Sequence, residues 1–233
     1  MSNYTISQAI FNVRTELKKI ADDSYYTNRY IFYKLKEVRN ILLKREGDKQ
    51  KLLQSNAVQV INCINMIQTD IGECCGLSGI KGYQINRSEY KIPALLDSVL
   101  SKRYLKLYNL NSSKIYDYQD PEVIHQKKKM RFRHPSQGYF IENNYLYFEG
   151  NAEKVKLLGI FENPEQIEIF NQCEKDKCSS DNSCTFVPMM QREFSVPGYL
   201  QFAMEQMATE LILKTSSVGA QDKQNDAKDN SIN

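Results

Sequence analysis

Any chemistry in this sequence would have to come from six cysteines, two histidines and one dense run of cations. Cys74 and Cys75 adjoin, while Cys173, Cys178 and Cys184 follow C-x4-C and C-x5-C spacing. Four thiolates drawn from the two groups would suit a tetrahedral zinc ion. Neither spacing is the tight C-x2-C knuckle, however, and adjacent cysteines share one ion poorly. Plain or loop-stabilising cysteines are the simpler reading, with a metal or a disulfide between the two groups as the other. Cys63 lies in an alternating apolar run and reads as a buried strand residue behaving as a small hydrophobe. His125 and His134 belong to no H-E-x-x-H and neighbour no G-x-S-x-G. Gly76, Gly79 and Gly82 form neither a dinucleotide fingerprint nor a P-loop. Carboxylates are plentiful without a spaced acidic motif, although a pair made only in three dimensions would escape this test. The expectation is a protein that is not an enzyme, with no catalytic residue, no metal ligand and no cofactor.

The cations cluster in "HQKKKMRFRH", where Lys127, Lys128, Lys129, Arg131 and Arg133 stand between the two histidines. Three readings stay open. The run is a solvated hairpin whose charges discourage edge pairing, or it touches DNA phosphates, or it meets an acidic partner surface. Overall charge does not choose, because 31 Lys and Arg against 28 Asp and Glu leave only +3. Neither nucleic-acid binding nor membrane association follows from so small an excess. No stretch approaches the roughly 18 apolar residues of a membrane span, and the opening residues lack the apolar core of a signal peptide. A soluble protein made in a cytosol is expected, with no membrane partner.

The elements around these residues follow from periodicity. Thr5-Ile6-Ser7-Gln8 has the form of a capping box, and Ile6, Ile10, Val13, Leu17 and Ile20 then recur on one helical stripe. Asp22-Asp23-Ser24 interrupts it. Thr27 caps a second helix with Ile31, Leu35, Val38 and Leu42 on its stripe and Gly47 at its stop. Two helices so closely joined predict an antiparallel hairpin over 1–56. Tyr26, Tyr30, Tyr33 and Ile41 widen the apolar surface of the second helix beyond one neighbour's needs. They pack on the β region or on an adjacent subunit.

From Ala57 to 194 the pattern is α+β. Strands are expected at "AVQVINCINMI", "KGYQI", "YLKLYNL", "GYFIENNYLYF" and "KVKLLGIF", with mostly short-range pairing and a hairpin turn at Asn143-Asn144. "IPALLDSVLSKRY" reads as a short helix, as does "NPEQIEIFNQCE" with Asn163 as cap and Pro164 at its first position. Pro197 opens a C-terminal helix over 195–213 with Leu200, Met204, Met207 and Leu211 on its stripe. Residues 214–233 read as an extended polar tail in which three lysines balance three aspartates.

The two ends together, "SQAIFNVRTELKKIADDSYYTNRYIFYKLKEVRNILLKRE" and "FSVPGYLQFAMEQMATELI" with its "DKQNDAKDN" tail, resemble the head-to-tail connector or neck ring proteins of tailed bacteriophages. The likeness is greatest to the short-tailed crAss-like phages of gut Bacteroidales. The resemblance implies a structural virion protein without a catalytic site, assembled in the host cytoplasm into the neck or tail. It implies a homo-oligomeric ring, usually of about twelve copies, that meets the portal protein and an adjacent ring and continues the DNA channel without sequence preference. On this reading Asp222, Lys223, Asn225, Asp226, Lys228, Asp229 and Asn230 form a tail that docks on a neighbouring ring. The alternative is a nucleic-acid-binding or regulatory phage protein that uses the run 127–133.

Overall fold

The structure is a computed structural model that describes residues 4–20, 26–46, 56–70, 84–96, 105–124, 137–170 and 188–229. The fold is α+β, with helices near both ends of the chain and a seven-stranded barrel in the middle. Two compact units divide it. One joins residues 1–49 to 186–233, and the other holds residues 50–185.

The helical unit contains α1 (Ile6–Ile20), α2 (Asn28–Glu46) and α3 (Gly198–Asp229). Both expected N-caps form. The Gln8 N–H donates to Thr5 Oγ1 at 3.2 Å and the Tyr30 N–H to Thr27 Oγ1 at 3.3 Å, each satisfying a donor that the first helical turn leaves unpaired. The buried residues of α2 include Ile31, Leu35, Val38 and Leu42, and those of α1 include Ile6, Ile10, Val13 and Leu17. Ile20 departs from the expected stripe because α1 ends there, and it is exposed. All three helices touch one another, and α2 packs more broadly on α3 than on α1.

In α3 the buried stripe is Leu200, Met204, Ala208 and Ile212 at a spacing of four, while Met207 and Leu211 flank it half-buried. The helix does not stop at 213 as expected but runs to Asp229, so the segment 214–229 is helical rather than extended. The physical reason is local. No proline interrupts it, and Lys214, Ala220, Gln221, Lys223, Gln224, Ala227 and Lys228 are all good helix formers. A polar composition gave no reason for the helix to end.

The barrel unit closes in the order β1 (Gln59–Asp70), β2 (Gln84–Ser88), β6 (Tyr145–Phe148), β5 (Gly138–Glu142), β4 (Ile115–Tyr118), β3 (Lys106–Asn109) and β7 (Lys154–Gly159), which returns to β1. Every pair is antiparallel except β4 with β5. Four of the seven pairs join strands consecutive in the chain, while β1 with β7, β2 with β6 and β3 with β7 are long-range, Gln59 lying opposite Gly159. Closure is what requires the distant partner, since it leaves no strand edge unpaired. The β5–β6 hairpin turns through Asn143 and Asn144 at φ 51° and 64°. Asparagine tolerates this left-handed conformation better than most residues.

Two expected helices differ. Ile92–Leu96 is not helical: the Leu96 N–H donates to Ile160 O at 2.9 Å, and Leu95 bridges Phe161. Buried Ile92 and Leu96 gain more as an extended flank of the barrel than as a helix start. Pro164–Phe170 is a 3-10 helix, opened by the Gln166 N–H donating to Asn163 O at 3.1 Å.

Leu107, Leu146, Phe148, Val155, Leu157 and Phe161 fill the barrel interior with Tyr139 among them. The Tyr139 hydroxyl donates to Leu105 O at 2.9 Å, so its one polar group is satisfied where water is excluded. Burial pushes this phenol well above its ordinary value, with smaller contributions from Tyr118, Asp117 and Tyr108. The folded state thus keeps a proton that the unfolded chain releases near pH 10, and stability falls as pH rises above that value. Tyr139→Phe is expected to cost about 1 kcal/mol at neutral pH. It should also make the alkaline loss of stability shallower by up to about 1.4 kcal/mol per pH unit. Urea unfolding at a series of pH values checks both, and an unchanged slope would contradict the assignment.

Candidate functional site

The helical unit, which is assembled from both ends of the sequence, carries two surfaces with exposed apolar side chains. Its interior is joined in two ways. Backbone of residues 4–6 pairs with residues 192–194, the Ile6 N–H donating to Arg192 O at 3.0 Å and the Phe194 N–H to Tyr4 O at 2.8 Å. The fully buried Arg39 of α2 then reaches the same segment. Its Nε–H donates to Ser195 O at 2.6 Å and its Nη1–H to Asn40 Oδ1 at 2.8 Å. A buried guanidinium is costly unless its donors are used, and here Nε holds the turn that launches α3 while Nη1 is taken by Asn40 of α2 itself.

Tyr26, just before α2, and Tyr30, Tyr33 and Ile41 on it are placed differently from one another. Tyr26 and Tyr30 stack with centroids 5.9 Å apart, and Tyr30 Oη lies 3.2 Å from Thr215 Oγ1 of α3. Arg14 of α1 donates to Tyr26 O at 3.4 Å and also to Asn28 Oδ1. This end of the tyrosine surface is therefore engaged within the chain. Tyr33 and Ile41 face outward, 58% and 37% exposed, among exposed Arg29, Lys44 and Arg45.

A second surface has no counterpart in the sequence reading. Between α1 and α3 runs a groove of about 450 Å³, lined on its apolar side by Phe11, Ile20 and Phe202. These are 67%, 63% and 69% exposed. Glu16, Glu205 and Glu210 also line it, with no lysine or arginine among the lining residues. Glu205 is fixed in place, accepting hydrogen bonds from the Tyr4 hydroxyl and from Asn12 Nδ2, the latter at 2.8 Å. Burial first and the Glu205 carboxylate second push the Tyr4 phenol far above its ordinary value. Glu16 pairs with Lys19 at 2.7 Å on the exposed side of α1. Large aromatics on the polar flank of two amphipathic helices were the signal available in the sequence, since Phe11 and Phe202 both stand off the buried stripes.

The remaining candidates are less defined. Lys127, Lys128, Lys129, Arg131 and Arg133 lie outside the described residues. Asp222, Lys223, Asn225, Asp226, Lys228 and Asp229 fall on the last turns of α3, their side chains outside what is described, as is Asn230. Cys63 is buried on β1 and disulfide-bonded, which corrects the reading of a plain buried cysteine. The other five cysteines, and so its partner, lie outside the described residues. Among the described residues no group of three or more His, Cys, Asp or Glu is arranged to hold a metal ion. No helix among them is long and apolar enough to cross a membrane.

Both helical surfaces leave large apolar side chains exposed. A family model described as "Phage tail ring protein 2" matches residues 8–231, and the chain belongs to that family of crAss-like phage ring proteins. It is similar to "Ring protein 2" of Bacteroides phage crAss001, with 25% identity over 97% of each chain.

Arg39→Ala is expected to destabilise the helical unit by about 2–4 kcal/mol, because Ser195 O loses its partner and the buried stem leaves a cavity. Arg39→Lys should recover little of this, since one ammonium cannot supply both Nε and Nη1 donors. Thermal melts of the two variants decide, and a lysine variant as stable as wild type would refute the need for donors at both Nε and Nη1.

Proposed function

We propose that this protein is a structural virion component that forms a ring in the phage neck, joins portal to tail and continues the DNA channel. The single observation that carries the proposal is the family match along nearly the whole chain, residues 8–231. The printed name of the crAss001 relative, a ring protein, supports it. The ring has about twelve copies, meets the portal protein and an adjacent ring protein, and assembles in the host cytoplasm. The structural role requires no catalytic chemistry of the chain itself.

Within this reading α1 and α2 act as a helical hairpin whose outward residues, Tyr33 and Ile41 above all, touch a neighbouring subunit. The final turns of α3 from Asp222, with Asn230 beyond, dock on the adjacent ring. A preformed helix loses less conformational entropy on docking than an extended tail would. Repetition around a ring turns one weak contact into a firm one by raising the effective concentration of the rest. Of the cations of 127–133, which lie outside the described residues, the reading requires only contact with DNA phosphates, without base-specific contact.

The test is the mass of the purified protein alone and after mixing with the portal ring of the same genome. The expected shift equals about a dozen added chains. Removal of residues 218–233, which leaves the Thr215 contact to Tyr30 intact, should leave the melting temperature near wild type and abolish docking on the adjacent ring. Docking unchanged by that truncation would dismiss the role of the α3 end. A chain that ignores the portal yet binds duplex DNA with steep salt dependence would favour a regulatory protein using 127–133.

A further inference from the structure

The outward face of α2 and the groove between α1 and α3 differ from each other in the way a closed ring requires. A ring generated by rotation uses heterologous contacts, in which one patch on each copy meets a different patch on the next. A self-complementary patch would stop at a dimer. The helical unit carries two such unlike patches. The α2 face offers Tyr33 and Ile41 among Arg29, Lys44 and Arg45, with Glu37 one turn from each of the two and paired with Lys34 at 2.9 Å. The groove offers Phe11, Ile20 and Phe202 among Glu16, Glu205 and Glu210. Apolar side chains thus belong to both, with cations in excess on one, where Lys34 neutralises Glu37, and carboxylates the charged side chains that line the other.

Their placement also fits. α2 packs on α1 and on α3, yet no α2 residue lines the groove. The groove therefore opens on the side of the three helices away from α2, whose own outward face points the opposite way. Patches on opposite sides of a unit can propagate from copy to copy.

We propose that in the assembled ring the α2 face of one copy seats in the α1–α3 groove of the next. Tyr33 and Ile41 cover Phe11 and Phe202, and Lys44 and Arg45 face Glu16 and Glu210. The inference rests on the ring reading above and supplies its subunit contact.

Charge reversal tests it. One variant carries Lys44→Glu with Arg45→Glu, a second carries Glu16→Lys with Glu210→Lys, and a third carries all four. None of the four side chains is buried, so melting temperatures within a few degrees of wild type exclude misfolding. Wild type is expected to assemble, and each two-site variant should need a concentration about 100-fold higher or more, because like charges then meet. The four-site variant should assemble again, since both patches have changed sign together. The two half-reversed proteins, mixed, should also assemble by alternating.

Rings formed as readily by either two-site variant overturn the pairing and leave the ring itself standing, with the groove covered by another protein. A four-site variant that stays as dispersed as its parents overturns the pairing as well. A wild-type chain that remains monomeric both alone and with the portal ring overturns the ring reading.

Discussion

The helical unit depends on one buried cation. α1 and α2 come from the start of the sequence and α3 from its end, with the whole barrel between them in the chain. Apolar stripes alone would let three helices slide along one another, because burial is nearly indifferent to register. The Arg39 guanidinium is not indifferent. It has a fixed fork of donors, and it finds the Ser195 carbonyl only when the segment 194–196 passes over the middle of α2. The short pairing of residues 4–6 with 192–194 fixes the same segment from the side of α1. Where α3 begins, and so which of its residues face the groove, follows from these two sets of bonds.

The barrel answers a different constraint. Strands as short as the four residues of β3, β4 and β6 cannot make a stable open sheet, since each edge would leave its backbone groups to solvent or to a neighbouring protein. Closing the sheet removes the edges and creates an interior that side chains must fill. Gly150 shows how tightly: a Cβ there would run into the ring of Phe148, one of the interior aromatics. Ser88 shows how polar groups are managed, its buried hydroxyl accepting from the Leu146 N–H at 3.1 Å. A protein exposed to many copies of itself has particular reason to leave no strand edge open, because an open edge pairs with any other.

What the sequence made legible was what depends on neighbours within a few positions. Thr5 and Thr27 cap helices by reaching three residues ahead, and Asn143-Asn144 turns a hairpin whose strands adjoin it. The stripes of α1 and α2 repeat every turn. What escaped depends on distant partners. β4 is four residues long, with Ile115 outward and Tyr116 inward, too short for alternation to stand out, and its other neighbour β5 is parallel, so no tight turn joins the two. Ile92–Leu96 has a helix-like apolar pattern but is held extended by residues beyond β7. The end of α3 escapes the sequence because a polar segment can be helical as readily as extended. The groove could not be read at all, since it exists only where α1 lies beside α3, yet Phe11 and Phe202 were visible as aromatics on the wrong side of their helices.

Those two aromatics are the most economical guide to how the molecule is used. Leaving Phe11, Ile20 and Phe202 in water forgoes about 1.5–3 kcal/mol for each side chain that could be covered. That is a large sum for a protein of ordinary marginal stability. A monomer gains nothing from the arrangement. With the next copy seated in the groove as proposed, the same residues would be covered once per copy and the gain realised only on assembly. The carboxylates around them keep the free chain soluble and reject surfaces of like charge. Apolar area then supplies the strength of the contact, and charge decides which face of which neighbour is allowed to cover it.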